Sequence, residues 1–240
     1  MIEWVRRVLG RPIELPPGFA ERLAAWRDRP AVDERLPLAD GRYIVVDVET
    51  SGLNPRRDLL LAIGAVPVEG GRLRPGEGFE VVIRSTEWVA RDSILIHGIG
   101  PQAQAAGTEP VEALTAFLDY IGKDPLAAYH APFDQVVLER ALRQTLGLDL
   151  PNPWLDLAWL APALVPEAGL PRAGLDAWLE HFGLRALVRH RATDDAFVTA
   201  ELLLVLLARA RQAGTMTFHD LRAVAERRAR LTTGGGIGGV

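Results

Sequence analysis

The period of the hydrophobic pattern changes once along this chain, near residue 108, and that change restricts the folds open to it. Ahead of it, apolar β-branched runs of strand length stand at Tyr43 to Val48 (YIVVDV), at 59–68 (LLLAIGAVPV) and at 77–84 (EGFEVVIR). The Ser51-Gly52 and Gly70-Gly71 turns separate them, and the three runs predict an antiparallel meander. Beyond it, apolar residues recur at helical spacing over 108–121, 132–146, 155–164, 175–182 and 193–213, interrupted by one short buried strand at 126–129. Helices alternating with a short strand imply parallel pairing. The expected fold is therefore α/β: a mixed five-stranded sheet, an antiparallel meander followed by parallel strands, flanked by helices.

The segment before the meander predicts two short surface helices, with Val5 and Leu9 on the first and Phe19, Leu23 and Trp26 on the second, broken by prolines at 12, 16, 17 and 30. The expected organisation is an N-terminal helical extension over 1–40, a catalytic-size domain over 41–213, a C-terminal helix over 214–233 and a disordered glycine-rich tail over 234–240. Thr217 and Asp220 form a capping pair for that last helix, which is rich in arginine. With 240 residues, 48% hydrophobic, the chain can bury one substantial core. It has no cysteine, which excludes disulfides, thiolate metal sites and a thiol nucleophile. No apolar run is long enough to span a bilayer or to serve as a signal segment, so no membrane partner and a cytoplasmic location are expected.

The chemistry-bearing residues fall in three places. Asp47 and Glu49 stand two apart on the first strand, so both side chains leave the same face at its C-terminal end. Like charges that close repel unless a cation lies between them, and hard divalent cations take carboxylate oxygens. Asp134 falls in the first turn of the helix that Pro132 opens, where the helix dipole favours an ionised carboxylate and where an acidic residue is also ordinary capping. In RHRATDDAFVTAELL, Thr193 is the expected N-cap of a long helix, Asp195 lies in its first turn with Asp194 turned elsewhere, and His190 sits in the preceding loop. The net charge of −4 argues against a polyanionic partner until the acids are sorted by role: Asp47, Glu49, Asp134 and Asp195 would account for all of it if they hold cations.

In that order and spacing the motifs resemble the DEDDh branch of the 3′-to-5′ exonucleases, of ribonuclease H-like fold, which includes proofreading polymerase III epsilon subunits and ribonuclease T. DVETSGLNP is similar to the family's first motif, HAPFDQVVL to its second, and HRATDDA to its third, with the histidine five residues before the last aspartate. ILIHGIG at 94–100 and WLDLAWLA at 154–161 resemble segments between and after them, and the likeness runs from Tyr43 to Ala210. One departure is His130, where many members carry asparagine. The resemblance implies that Asp47, Glu49, Asp134 and Asp195 bind two Mg²⁺ or Mn²⁺ ions and that His190 takes the proton from the attacking water. It implies as substrate the single-stranded 3′ end of a nucleic acid, contacted by Thr50, Ser51, Gly52, Leu53, His97, His130 and Phe133, with Leu53 as a wedge beside the terminal base. DNA is favoured over RNA, and a DNA polymerase is the expected partner. The alternatives are an exoribonuclease that trims RNA 3′ ends and a non-cleaving module that tethers a polymerase.

Overall fold

A computed structural model describes residues 15–87, 89, 91–185 and 191–234. The apolar runs of the first half become β1 (Arg42–Thr50), β2 (Leu60–Glu69), β3 (Arg72–Leu73) and β4 (Phe79–Val82). β1 and β2 pair antiparallel along nearly their whole length, from Arg42 opposite Glu69 to Thr50 opposite Leu60. β3 and β4 occupy successive parts of the same far edge of β2, so the third run of the meander is one strand position broken by the single helical turn at Pro75–Glu77. On the other side of β1 lie the short parallel strands β5 (Leu126–Ala128) and β6 (Trp154–Asp156). The sheet thus has six strands in five positions, ordered β3-β2-β1-β5-β6 with β4 also on β2.

Helices fill the rest: α1 (Phe19–Arg27), α2 (Arg91–His97), α3 (Pro101–Ala105), α4 (Pro110–Ile121), α5 (Ala131–Leu146), α6 (Leu157–Leu164), α7 (Leu175–Phe182), α8 (Ala192–Gln212) and α9 (Phe218–Gly234). They cover both faces of the sheet, as a sheet with parallel crossovers requires. On one face Tyr43 and Val45 of β1 pack with Ala196, Leu202, Leu203 and Leu206 of α8. On the other, Ile44, Val46 and Val48 pack with Phe117 and Leu118 of α4 and Val137 and Leu138 of α5. Both rows of β1 are therefore buried along most of the strand, and Asp47 and Glu49 continue the row that faces α8.

Three local expectations are corrected. The second N-terminal helix is no loose surface element: Leu23 and Trp26 are 1% and 2% exposed, and the Trp26 indole N–H donates to the Gly122 carbonyl at 2.9 Å. The helix expected from Leu155 begins at Leu157, because 154–156 is recruited as the edge strand and Asp156 caps the helix, accepting from the Ala158 N–H at 3.0 Å. Thr193 is not a cap: α8 starts at Ala192 after an extended Arg191 that makes no side-chain cap bond. The expected pair opening α9 is found, the Thr217 hydroxyl bonding the Asp220 carboxylate at 2.6 Å and receiving the Asp220 N–H at 3.2 Å. The expected helix around Val5 and Leu9 lies outside the described residues. Among those described, no helix is long and apolar enough to cross a membrane.

Candidate active site

β1 ends in a register shift between Glu49 and Thr50, an irregularity of the kind that re-aims side chains beside active sites. Just before it, Asp47 and Glu49 project toward the start of α8. That helix can approach so closely because Asp47 pairs across the sheet with Gly64, which has no side chain. A Cβ on Gly64 would fall 2.1 Å from the Ala192 carbonyl carbon and 2.2 Å from the Thr193 nitrogen. The first turn of α8 therefore rests on bare strand backbone and delivers Asp195, 7% exposed, to the strand acids. Ligand oxygens of Asp47, Glu49 and Asp195 all lie within 4.8 Å of one another. Asp194 is turned away into an ion pair with Arg191 at 3.8 Å, as its position on the helix dictates.

Asp134 comes from the opposite face of the sheet. α5 lies over the Ile44–Val46–Val48 row, and from its first turn Asp134 accepts the Val48 N–H at 3.2 Å, between the two strand acids in sequence. Burial pushes its carboxyl well above the usual range against these hydrogen bonds, and the charges of Asp156 and Glu49 push it further. Asp47, Glu49 and Asp195 form a donor set that fits hard divalent cations, all oxygen and anionic and relieved of mutual repulsion by positive charge, whereas Asp134 stands beside that group and not within it. His190 lies outside the described residues.

The loop after β1 is pinned from several sides. Thr50 Oγ1 donates to the Gly52 carbonyl at 2.6 Å, and Ser51 Oγ accepts the Leu59 N–H at 2.9 Å. Ser93 of α2 donates to the Ser51 carbonyl at 2.9 Å, and Arg140 of α5 reaches the Pro55 carbonyl at 3.2 Å and the Asp58 carbonyl as well. At Gly52 a Cβ would lie 2.5 Å from an Asp58 carboxylate oxygen, so a larger residue there would have to displace the Asp58 side chain. Out of this fixed loop Leu53 stands 92% exposed. Phe133 is half-buried against the apolar cluster under α5. His97 is buried, its Nδ1 accepting the Ile99 N–H at 3.1 Å, and burial holds its pKa below the ordinary value.

Sequence reasoning did not single out Asp156. Its Oδ1 accepts the N–H groups of both His130 and Ala158 at 3.0 Å, and burial raises its pKa. The His130 backbone is left-handed (φ 64°), the one such non-glycine among the described residues, and this hydrogen bond holds the turn that starts α5. His130 itself is exposed, edge-on to Tyr129. An aspartate directly before a helical run, as in WLDLAWLA, is an N-cap signal that points to Asp156.

The model of the exonuclease family RNase_T matches residues 44–203, spanning β1 to the middle of α8 and every described acid of the site. The chain belongs to that family. RNase_T-type exonucleases are hydrolases, and domains of this type use two divalent cations, in keeping with the acidic cluster. Among relatives, the PolC-type DNA polymerase III of Thermotoga maritima is 30% identical over 184 residues, covering 77% of this chain. A DNA polymerase III subunit epsilon-like protein of Rhodobacter capsulatus is 30% identical over 198 residues, covering 81%. The chain spans only 13% of the first and 28% of the second. Of solved structures, E. coli exonuclease I bound to a dT13 oligonucleotide superposes with a TM-score of 0.60 at 21% identity, over 72% of this chain and 42% of that one. Exonuclease X in complex with 5′-overhanging duplex DNA gives 0.60 at 22%, over 76% and 99%. These likenesses establish the expected ribonuclease H-like fold.

Proposed function

We propose that this domain removes nucleotides one at a time from the 3′ end of single-stranded or frayed DNA, releasing nucleoside 5′-monophosphates. The observation that carries this is the convergence of Asp47, Glu49 and Asp195 within 4.8 Å, with Asp134 hydrogen-bonded to the strand that bears the first two. These four residues would hold two Mg²⁺ or Mn²⁺ ions, which in such sites clamp the attacking and leaving oxygens of an in-line displacement. His190 is assigned, from the resemblance of HRATDDA to the family's third motif, to take the proton from the attacking water. Thr50, Ser51, Gly52 and the wedge Leu53 are assigned to the terminal nucleotide, together with His97, His130 and Phe133. A site flanked by the exposed Leu53 would admit an unpaired end, since base-paired termini must first be splayed. DNA is favoured because the relatives are named as DNA polymerase III proteins and solved neighbours are described with DNA bound, and a polymerase is the partner this implies. Residues 41–213 are assigned as the catalytic domain, with flanking segments that attach to it through Leu23 and Trp26 on one side and Phe218 and Leu221 on the other.

A 5′-labelled DNA oligomer should shorten stepwise in Mg²⁺ and stay intact with chelator. Replacing His190 by alanine should lower kcat about 10²- to 10⁴-fold while calorimetric Mn²⁺ binding persists. Blunt duplex degraded as fast as single strand would overturn the substrate assignment, and faster digestion of RNA would move the reading to RNA 3′-end trimming.

Arg140 acts on the reaction only through the Leu53 loop. Its replacement by methionine should raise KM for single-stranded DNA roughly tenfold with kcat nearly unchanged, because placement of the strand end is lost while the carboxylates stay. Arg140→Lys should recover part of the loss. A fall in kcat with KM unmoved would show that the loop does not position substrate.

A further inference from the structure

A second charged cleft lies at the opposite end of the sheet from the carboxylates, where β5 and β6 begin. Its volume is about 270 Å³, just below the usual range of small-ligand sites, and Arg27, Arg29, Lys123 and Asn152 are among its walls together with one carboxylate, Glu34. Lys123 is the only lysine in the chain. Its ammonium sits over the Trp26 ring, 3.1 Å from the centroid, and the buried indole that forms this platform is fixed by its bond to Gly122. Arg29 lies against Gly122 and donates to the Asp119 carbonyl at 3.1 Å. The acids nearby have arginines of their own: Asp119 pairs with Arg22 at 2.7 Å, Asp124 with Arg42, and Glu34 with Arg222 at 3.0 Å. Among the described residues no ion pair links a carboxylate to Arg27, Arg29 or Lys123. Three cations are gathered in a chain whose net charge is −4. Burial and the two arginines lower the Lys123 pKa, which reports the same crowding of positive charge.

A buried acceptor adds to the cations. Asn152 is 5% exposed; its amide nitrogen donates to the Gly122 and Asp124 carbonyls at 3.3 and 2.8 Å, which fixes the flip, and its Oδ1 is buried with no hydrogen-bond partner. A buried oxygen in that state costs free energy that a donor would recover. Cations alone would suit any anion, whereas cations beside an unsatisfied acceptor suit a molecule that carries both a phosphate and an N–H group.

We propose that this cleft is a second nucleotide site, in which Arg27, Arg29 and Lys123 take the phosphate of a nucleoside monophosphate and Asn152 Oδ1 accepts an N–H of its base. The choice of a monophosphate rests on the product assigned above, while the cationic cleft does not.

The test is calorimetric titration of the full chain with dAMP and, separately, with deoxyribose 5-phosphate. Both are run in EDTA, so that the result is independent of whether strands are cut. dAMP should bind, and Lys123→Met and Arg27→Gln, each checked for an unchanged melting temperature, should each weaken it about tenfold, as loss of a charge-assisted contact predicts. The sugar phosphate should bind more weakly than dAMP. Absence of heat with dAMP at millimolar concentration, or heat that neither substitution alters, would overturn the site. Equal affinity for the two ligands would overturn the nucleotide assignment and leave a phosphate contact only.

Discussion

Gly64→Ala should all but abolish nuclease activity and destabilise the fold, although glycine to alanine inside a strand is ordinarily benign or favourable. The added methyl would lie 2.1 Å from the Ala192 carbonyl carbon, and the atoms it meets are backbone, which cannot swing aside as a side chain would. The start of α8 must lift off β2, carrying Asp195 away from Asp47 and Glu49. Overpacking of this kind costs about 3 kcal/mol, and a displacement near 1 Å between groups that act together can cost on the order of 100-fold in rate. Gly76→Ala is the control, since a Cβ there meets nothing within 4 Å; it should change neither activity nor melting temperature. A Gly64→Ala protein with wild-type activity would show that α8 does not reach the acids through this contact.

Asp134→Asn should have opposite effects on stability and function. Burial raises the Asp134 carboxyl above its unfolded value, so without cations the native chain holds its proton more tightly than the unfolded chain does. The sign of the linkage follows: this stability is fully present below the ordinary carboxylate range and is lost as pH rises through the elevated native value. Asparagine keeps an oxygen for the Val48 N–H and carries no charge, so the metal-free variant should be more stable at pH 7 by about 1 to 3 kcal/mol. That gain corresponds to a rise of a few degrees in melting temperature in a domain of this size. Activity should fall at least about 100-fold, since the proposed ligand set would lose one anion. Thermal scans at pH 5 and pH 8 in EDTA, with the gain larger at pH 8, would check the assignment. A variant less stable than wild type at both values would refute it.

The place of each acid was legible in the chain from local rules, while their grouping into one site rests on the resemblance of the three motifs to the exonuclease family. The period of two on β1 puts Asp47 and Glu49 on one face, and Pro132 and the helical pattern after residue 193 put Asp134 and Asp195 in first turns. What the pattern cannot report is which face each helix covers. That α8 and α5 meet opposite faces of β1, so that Asp134 arrives at Val48 from behind, is a property of the crossovers. β6 was missed because three residues are too few to show a period and its apolar Trp154 and Leu155 run directly into the apolar stretch of α6. Thr193 satisfied the composition rule for a cap, but the close seat on Gly64 starts the helix earlier, a tertiary constraint overriding a local preference. Leu23 and Trp26 showed the helical spacing of a buried stripe, and the prolines around them concealed that they join the main core.

Asp47 and Asp195 stand far apart in the chain, on the first strand and the eighth helix, and only the folded sheet with α8 seated on Gly64 brings their oxygens within 4.8 Å of one another. A nuclease whose clustered acids come from such distant segments should lose its activity together with its tertiary structure, so that local opening of α8 alone would disperse the cluster.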